Sequence, residues 1–92
     1  MTTRTVIATT VDVADDSTVL TTSNAELHGI HVNVILSAHA CPIENAAGTA
    51  IFTLPATAAV GVYPCYGVFM DGITVDPNNA GTGTITVFWS LA

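Results

Sequence analysis

Gly67-Val68-Phe69-Met70-Asp71-Gly72-Ile73-Thr74-Val75, then Asp76-Pro77-Asn78-Asn79-Ala80-Gly81-Thr82-Gly83, then Thr84-Ile85-Thr86-Val87-Phe88-Trp89-Ser90-Leu91 make one run whose alternation decides the fold class. In its last segment Ile85, Val87, Trp89 and Leu91 share one face, and Thr84, Thr86, Phe88 and Ser90 the other, the period of two of a half-buried strand. The first segment sets Phe69, Ile73 and Val75 against Val68, Met70 and Thr74. The Asp, Pro, Asn and Gly residues between them have turn chemistry, so the run is predicted to be two strands of a hairpin. Trp89 is expected to face inward and Phe88 outward. Both faces carry apolar groups, and one core covers only one of them. Val68, Met70 and Phe88 are therefore the candidate contacts to another surface.

Ninety-two residues make one domain, and at that size folding hides only about 60–65% of the surface that the unfolded chain exposes. Half of the residues are hydrophobic and 9% are charged, against roughly a quarter in an average globular chain. The exterior has to be built from the fifteen threonines with alanine, glycine and aliphatic residues. A surface so poor in charge is either covered by a partner or prone to aggregate. Arg4 is the only cationic side chain apart from histidine, and the net charge is -6. Nucleic-acid binding draws its affinity from cations on phosphates, so this balance argues against it, and equally against anionic membranes. No apolar segment reaches the length of a membrane span, and Met1–Thr10 has no signal-peptide core. The chain is expected to be made and kept in the cytoplasm unless a larger assembly carries it out. Cys41 and Cys65 are expected to be free thiols there.

Upstream, Thr3–Val13 is threonine and β-branched residues and reads as an N-terminal strand. Asp15-Asp16-Ser17 is a turn, Ser17–Thr22 a short strand, and Ser23-Asn24-Ala25 a further turn. Glu26–Ser37 is the longest early strand, with Ile30, Val32, Val34 and Leu36 on one face and Leu27, Gly29, His31, Asn33 and Ile35 opposite. Gly29 within it signals a bulge or a close backbone approach. His39–Ile43 is extended, with Pro42 favouring an edge or a bulge; Glu44–Gly48 is a turn into a strand at Thr49–Leu54. Pro55–Gly61 has the composition of a single helical turn, and Val62–Tyr66 is extended. No apolar repeat at helical spacing runs over three turns. The expected fold is all-β: a small antiparallel β-sandwich or jelly-roll-like domain, residues 1–92, of about seven or eight short strands with little or no helix.

His28, His31, His39, Cys41 and Cys65 are potential zinc ligands. His28 and His31 are three apart on a strand, however, and should leave opposite faces, and no Cys-x-x-Cys pair is present. His39 and Cys41 share a face without a third group to orient them as a nucleophile and base. Asp76, Asn78 and Gly81 partly match a calcium loop, but Ala80 and Val87 stand where oxygen ligands are needed. Gly81-x-Gly83 leads into a strand and not a helix N-terminus, so it does not cradle phosphate. No catalytic, metal or cofactor site is expected.

Three segments resemble short virion structural proteins of tailed bacteriophages, especially phages of aquatic bacteria. They are Ala25-Glu26-Leu27-His28-Gly29-Ile30-His31-Val32-Asn33, Phe52-Thr53-Leu54-Pro55-Ala56-Thr57-Ala58-Ala59-Val60-Gly61, and Ile73 to Val87. The likeness runs from about Val19 onward, rests on structural motifs, and does not include Cys41 or Cys65. It implies a β-sandwich on the capsid surface of a virion, synthesised in the host cytoplasm. The implied role is head decoration, in which a homo-oligomer, most familiarly a trimer, clamps the major capsid protein without enzymatic activity; a tail, collar or fibre module is the alternative. The run Thr2–Val11, with Thr5 and Ile7, is suited to adding a strand to a neighbour's sheet.

Overall fold

The computed structural model describes residues 5–14, 17–77 and 81–92. Six strands form within them: β1 (Ile7–Asp12), β2 (Thr18–Val34), β3 (Cys41–Glu44), β4 (Ala50–Leu54), β5 (Gly61–Val75) and β6 (Thr84–Leu91). All six join one antiparallel sheet in the order β1-β6-β2-β5-β3-β4, and no helix forms among the described residues. The all-β class is as expected, with six strands in place of seven or eight. Two pairs of expected short strands are each one long strand. Ser23-Asn24-Ala25 does not turn the chain but lies within β2, and Gly67 lies within β5. Pro55–Gly61 contains a turn and no helix.

The expected C-terminal hairpin is also corrected. β5 and β6 do not pair with each other; both pair with β2, which lies between them. The alternation of the β6 run holds, yet the partner of each run is the long strand upstream. Thr5 lies just before β1 and Ile7 opens it, and β1 pairs antiparallel with β6 from Ile7↔Trp89 to Asp12↔Thr84. Arg4 and the residues before it, Asp15, Asp16 and Asn78 to Ala80 lie outside the described residues.

Chain reach shows that this sheet is folded over. A straight strand of the length of β2 would extend roughly 56 Å, whereas the longest dimension of the whole molecule is 42 Å. From Val34 at the end of β2 to Cys41 at the start of β3, the link can span at most about 25 Å. Yet Ile43 of β3 pairs with Val75, the same residue that pairs with Thr18 at the beginning of β2. The two ends of β2 must therefore approach each other. The bend sits at register shifts between Val19 and Thr21 and between Thr21 and Asn24, opposite Gly72, whose φ is 90°. A side chain at Gly72 would meet the Ala46 Cβ at 3.0 Å and the Thr21 carbonyl oxygen at 3.3 Å. Extra residues on one strand kink the ladder and sharpen its twist, and glycine admits the required conformation.

The concave side encloses one buried cluster that draws on every strand, from Val11 in β1 to Leu54 in β4, with Ile30, Ile43, Ile73, Ile85 and Val87 wholly inaccessible. Each such aliphatic side chain contributes about 1.5–3 kcal/mol. Trp89 packs inward as expected, and its indole N–H donates to Thr9 Oγ1 at 3.1 Å, so the one polar atom of the ring is satisfied.

Bulges reassign several faces. The β2 ladder shifts between Leu27 and Gly29 against both neighbours, so Leu27 joins Ile30 and Val32 in the core although the simple alternation opposed them. Past Val32 a further shift turns Val34 outward, and Leu36 re-enters the core from the link. Gly72 does the same in β5. Met70, expected outward, is 1% exposed beside Ile73 and Val75, and Phe69, expected inward, is exposed.

The β3–β4 turn is built by Asn45. Its Oδ1 accepts from the backbone N–H groups of Ala47 and Thr49, both at 3.0 Å, and Gly48 takes a φ of 84°. The Ala46 N–H donates to the Asp71 carbonyl at 2.7 Å, which pins this turn onto the bend in β5. At the other end, the link after β2 is held by Leu36 N–H to Ala58 O and Ser37 N–H to Thr82 O.

Candidate functional site: an uncovered outer face

Among the described residues, no layer lies over the convex side of β1, β6, β2 and the first half of β5. Register fixes its rows. Ala8, Phe88, Gly29 and Pro64 are aligned across the four strands; Thr10, Thr86, His31 and Val62 form the next row; Ser90, Glu26 and Phe69 form another. Thr10 and Thr86 hydroxyls share a hydrogen bond, Asn33 Nδ2 donates to Thr86 Oγ1 at 2.7 Å, and His31 Nδ1 bonds to Asn33 Oδ1. These polar groups are spent on each other, which leaves an apolar surface beside them: Val62 is 69% exposed and Phe69 58%.

Between Pro64 and Phe69 the strand departs from regular geometry. Cys65, Tyr66 and Gly67 stand opposite His28 alone, and two consecutive residues have positive φ, 58° at Tyr66 and 69° at Gly67. A non-glycine residue in that region costs roughly 1–2 kcal/mol. Tyr66 recovers little by packing, since it is 89% exposed.

Of the anticipated contact residues, the structure puts Phe88 on this outer face, half-buried against its row neighbours. Val68 is partly exposed on the same side as Leu27, Met70 is in the core, Thr5 is exposed and Ile7 packs against the core. Tyr66 and Phe69 were missed. The strand alternation placed Phe69 inward, and positive φ at a tyrosine has no sequence signature, although the neighbouring glycine is a hint.

The histidines and cysteines are dispersed. Because the bulge at Gly29 resets the alternation, His28 and His31 lie on the same side, contrary to expectation: His28 Nε2 bonds to Ser90 Oγ at 2.8 Å, and His31 is held by Asn33. Among the described residues no three His, Cys, Asp or Glu side chains are placed to hold a metal ion. The His28–Ser90 pair has the contact distance of a base and nucleophile, but Ser90 is 1% exposed and offers no approach to a carbonyl. Cys41 and Cys65 are free thiols. Burial, reinforced by the charge of Asp76, pushes Cys41 up to about 11, and burial raises Cys65 as well, so neither is activated as a thiolate. His39 and Cys41 line a cavity of 10 Å³ with Leu36 and Pro77, room for no more than about one water.

Glu44 has its carboxyl raised, by burial first and by the neighbouring Asp76 second. The folded state therefore holds the Glu44 proton more tightly than the unfolded state. The stability that this proton provides is present in acid and is lost as pH rises through the folded value. Glu44→Gln is expected to raise the melting temperature slightly at pH 7 and to match the parent near pH 3; thermal melts across that range check the direction, and an equal gain at both ends overturns it.

No protein-family model matches the chain, and neither a curated protein nor a solved structure matches it.

Proposed function

We propose that this chain is a bacteriophage capsid decoration protein: a small two-layer β-sandwich, formed by the folded-over sheet, that binds the outside of the head as a homo-oligomer, a trimer by the likeness described above, and clamps major capsid protein subunits. The observation that carries the reading is the uncovered apolar outer face of a chain with a single arginine and no lysine. A clamp requires matched surfaces and free strand edges in place of a reaction centre. β1 supplies such an edge. Among the described residues it is hydrogen-bonded on one side only, to β6, and between Ile7 and Val11 it carries no charge that would block strand addition. Thr5, just before β1, and the backbone of Ile7, its first residue, are assigned to the contact with the shell.

Quantifying the protein in purified particles tests this reading. Hundreds of copies per particle, removed together with a loss of head stability, are expected. A dozen or fewer favours the tail, collar or fibre reading, and absence from particles overturns both.

A further inference from the structure

We infer that the outer face around Tyr66 is where copies of this chain meet each other, with Tyr66 and Phe69 of each copy turned toward the axis of the homo-oligomer. The inference rests on the homo-oligomeric reading above and adds the surface and the residues that make the contact.

The strained tyrosine is the first reason. A left-handed backbone at Tyr66 and Gly67 lifts an aromatic ring into solvent between two stretches of β5 that pair with β2. Within one copy the ring makes little packing in return. Strain concentrated at an exposed aromatic residue fits a group whose compensating contacts lie on another molecule.

Area and charge then identify that molecule as a second copy. Four strands at about 4.8 Å spacing and seven residues of length make a face of roughly 19 Å by 23 Å, about half of the ~800 Å² that each side of a stable interface buries before side-chain relief is counted. Most of the face has to be covered at once, by something comparably flat and wide. The carboxylates of this side stand at its margins: Asp12 and Glu26 at opposite ends of the register, and Asp71, exposed, two residues past Phe69. Apart from Arg4 and the histidines, of which His28 and His31 on this face are already bonded to Ser90 and Asn33, a second copy has no cation to set against these carboxylates, so copies meet on the apolar ground between them. Edge pairing along β5 is a poorer alternative, because Pro64 donates no hydrogen bond and the Cys65–Gly67 bulge breaks the ladder.

The test uses sedimentation velocity and thermal melts of the full chain and of two variants, Tyr66→Gly and Phe69→Asp. The parent is expected to be oligomeric at micromolar concentration. Glycine accepts positive φ without strain, so Tyr66→Gly should weaken self-association at least tenfold while the melting temperature of the dissociated protein stays level or rises by up to about 8 °C. Phe69→Asp should dissociate the oligomer with the fold intact. A monomeric parent overturns the inference, as does a Tyr66→Gly protein that associates as tightly as the parent. A lowered melting temperature of dissociated Tyr66→Gly would make Tyr66 a residue of the fold and overturns it too. An oligomer insensitive to both variants leaves the capsid assignment standing, and absence from phage heads leaves the self-association standing.

Discussion

Met70→Asp is expected to unfold the chain, whereas Phe69→Asp, one position earlier in the same strand, leaves it folded. Met70 is 1% exposed and packs in the cluster that includes Ala25 and Ile73. Removing its side chain forfeits about 2–5 kcal/mol of packing, and a carboxyl group buried there adds a desolvation cost of several kcal/mol or must stay protonated. A domain of this length has about 5–14 kcal/mol of stability in all, so the variant should show no cooperative melt at neutral pH. Phe69 points to the other side of β5 and more than half of it is already in water. Far-ultraviolet circular dichroism of the two purified variants is the measurement. Two folded proteins, or two unfolded ones, would show that the bulge at Gly72 does not divide the faces as described.

Gly83→Ala is expected to cost roughly 2–5 kcal/mol and to lower the melting temperature by about 10–30 °C. Gly83 has a φ of 124°, and a Cβ there would fall 2.7 Å from Leu36 Cδ2 and 2.9 Å from the carbonyl oxygen of Ile35. The oxygen cannot retreat easily, because the link is fixed on both sides: Leu36 N–H bonds to Ala58 O, and Ser37 N–H to Thr82 O. The carbonyl of Gly83 itself accepts from the Val13 N–H. Gly48→Ala is the control. Gly48 also has positive φ, 84°, but nothing lies within 4 Å of an added Cβ. Its substitution should cost only about 1 kcal/mol, and the difference between the two melts isolates the steric contribution at the link.

The features legible in the sequence were those set by composition and by uninterrupted alternation. Ile85, Val87 and Trp89 alternate without a break, and all three are in the core. Gly29 announced a bulge, and the ladder shifts there. Pro42, expected at an edge or a bulge, lies instead in β3 between β5 and β4 and pairs with Thr53, just past the end of the β5 ladder at Ile43↔Val75. Reading failed where an extra residue reset the period, since one inserted position exchanges every later side chain between faces. Gly72 exchanged Phe69 for Met70, and the shift at His28 placed Leu27 in the core. Pairing was the other failure. The Asp76–Gly83 segment has the residues of a hairpin turn, but local turn chemistry cannot report that a strand fifty residues upstream will lie between the two arms. For the candidate surface, the excess of apolar residues over one core's needs was evident, but the members that matter, Tyr66 and Phe69, follow from backbone geometry that composition does not encode.

The pairing of β1 with β6 has a consequence for synthesis. Of the six described strands the earliest to be translated, β1, has its hydrogen-bonding mate in the latest, β6, and β2 likewise waits for β5 and β6. Nascent segments therefore emerge with sticky borders and no local hairpin across β1 to shelter them, and such long-separation pairings close slowly. During that interval an early strand from one polypeptide can take the seat meant for another's. Expression at lower temperature, or slower initiation of translation, should raise the yield of correctly paired chains more than it does for a protein whose strands mate with their immediate neighbours.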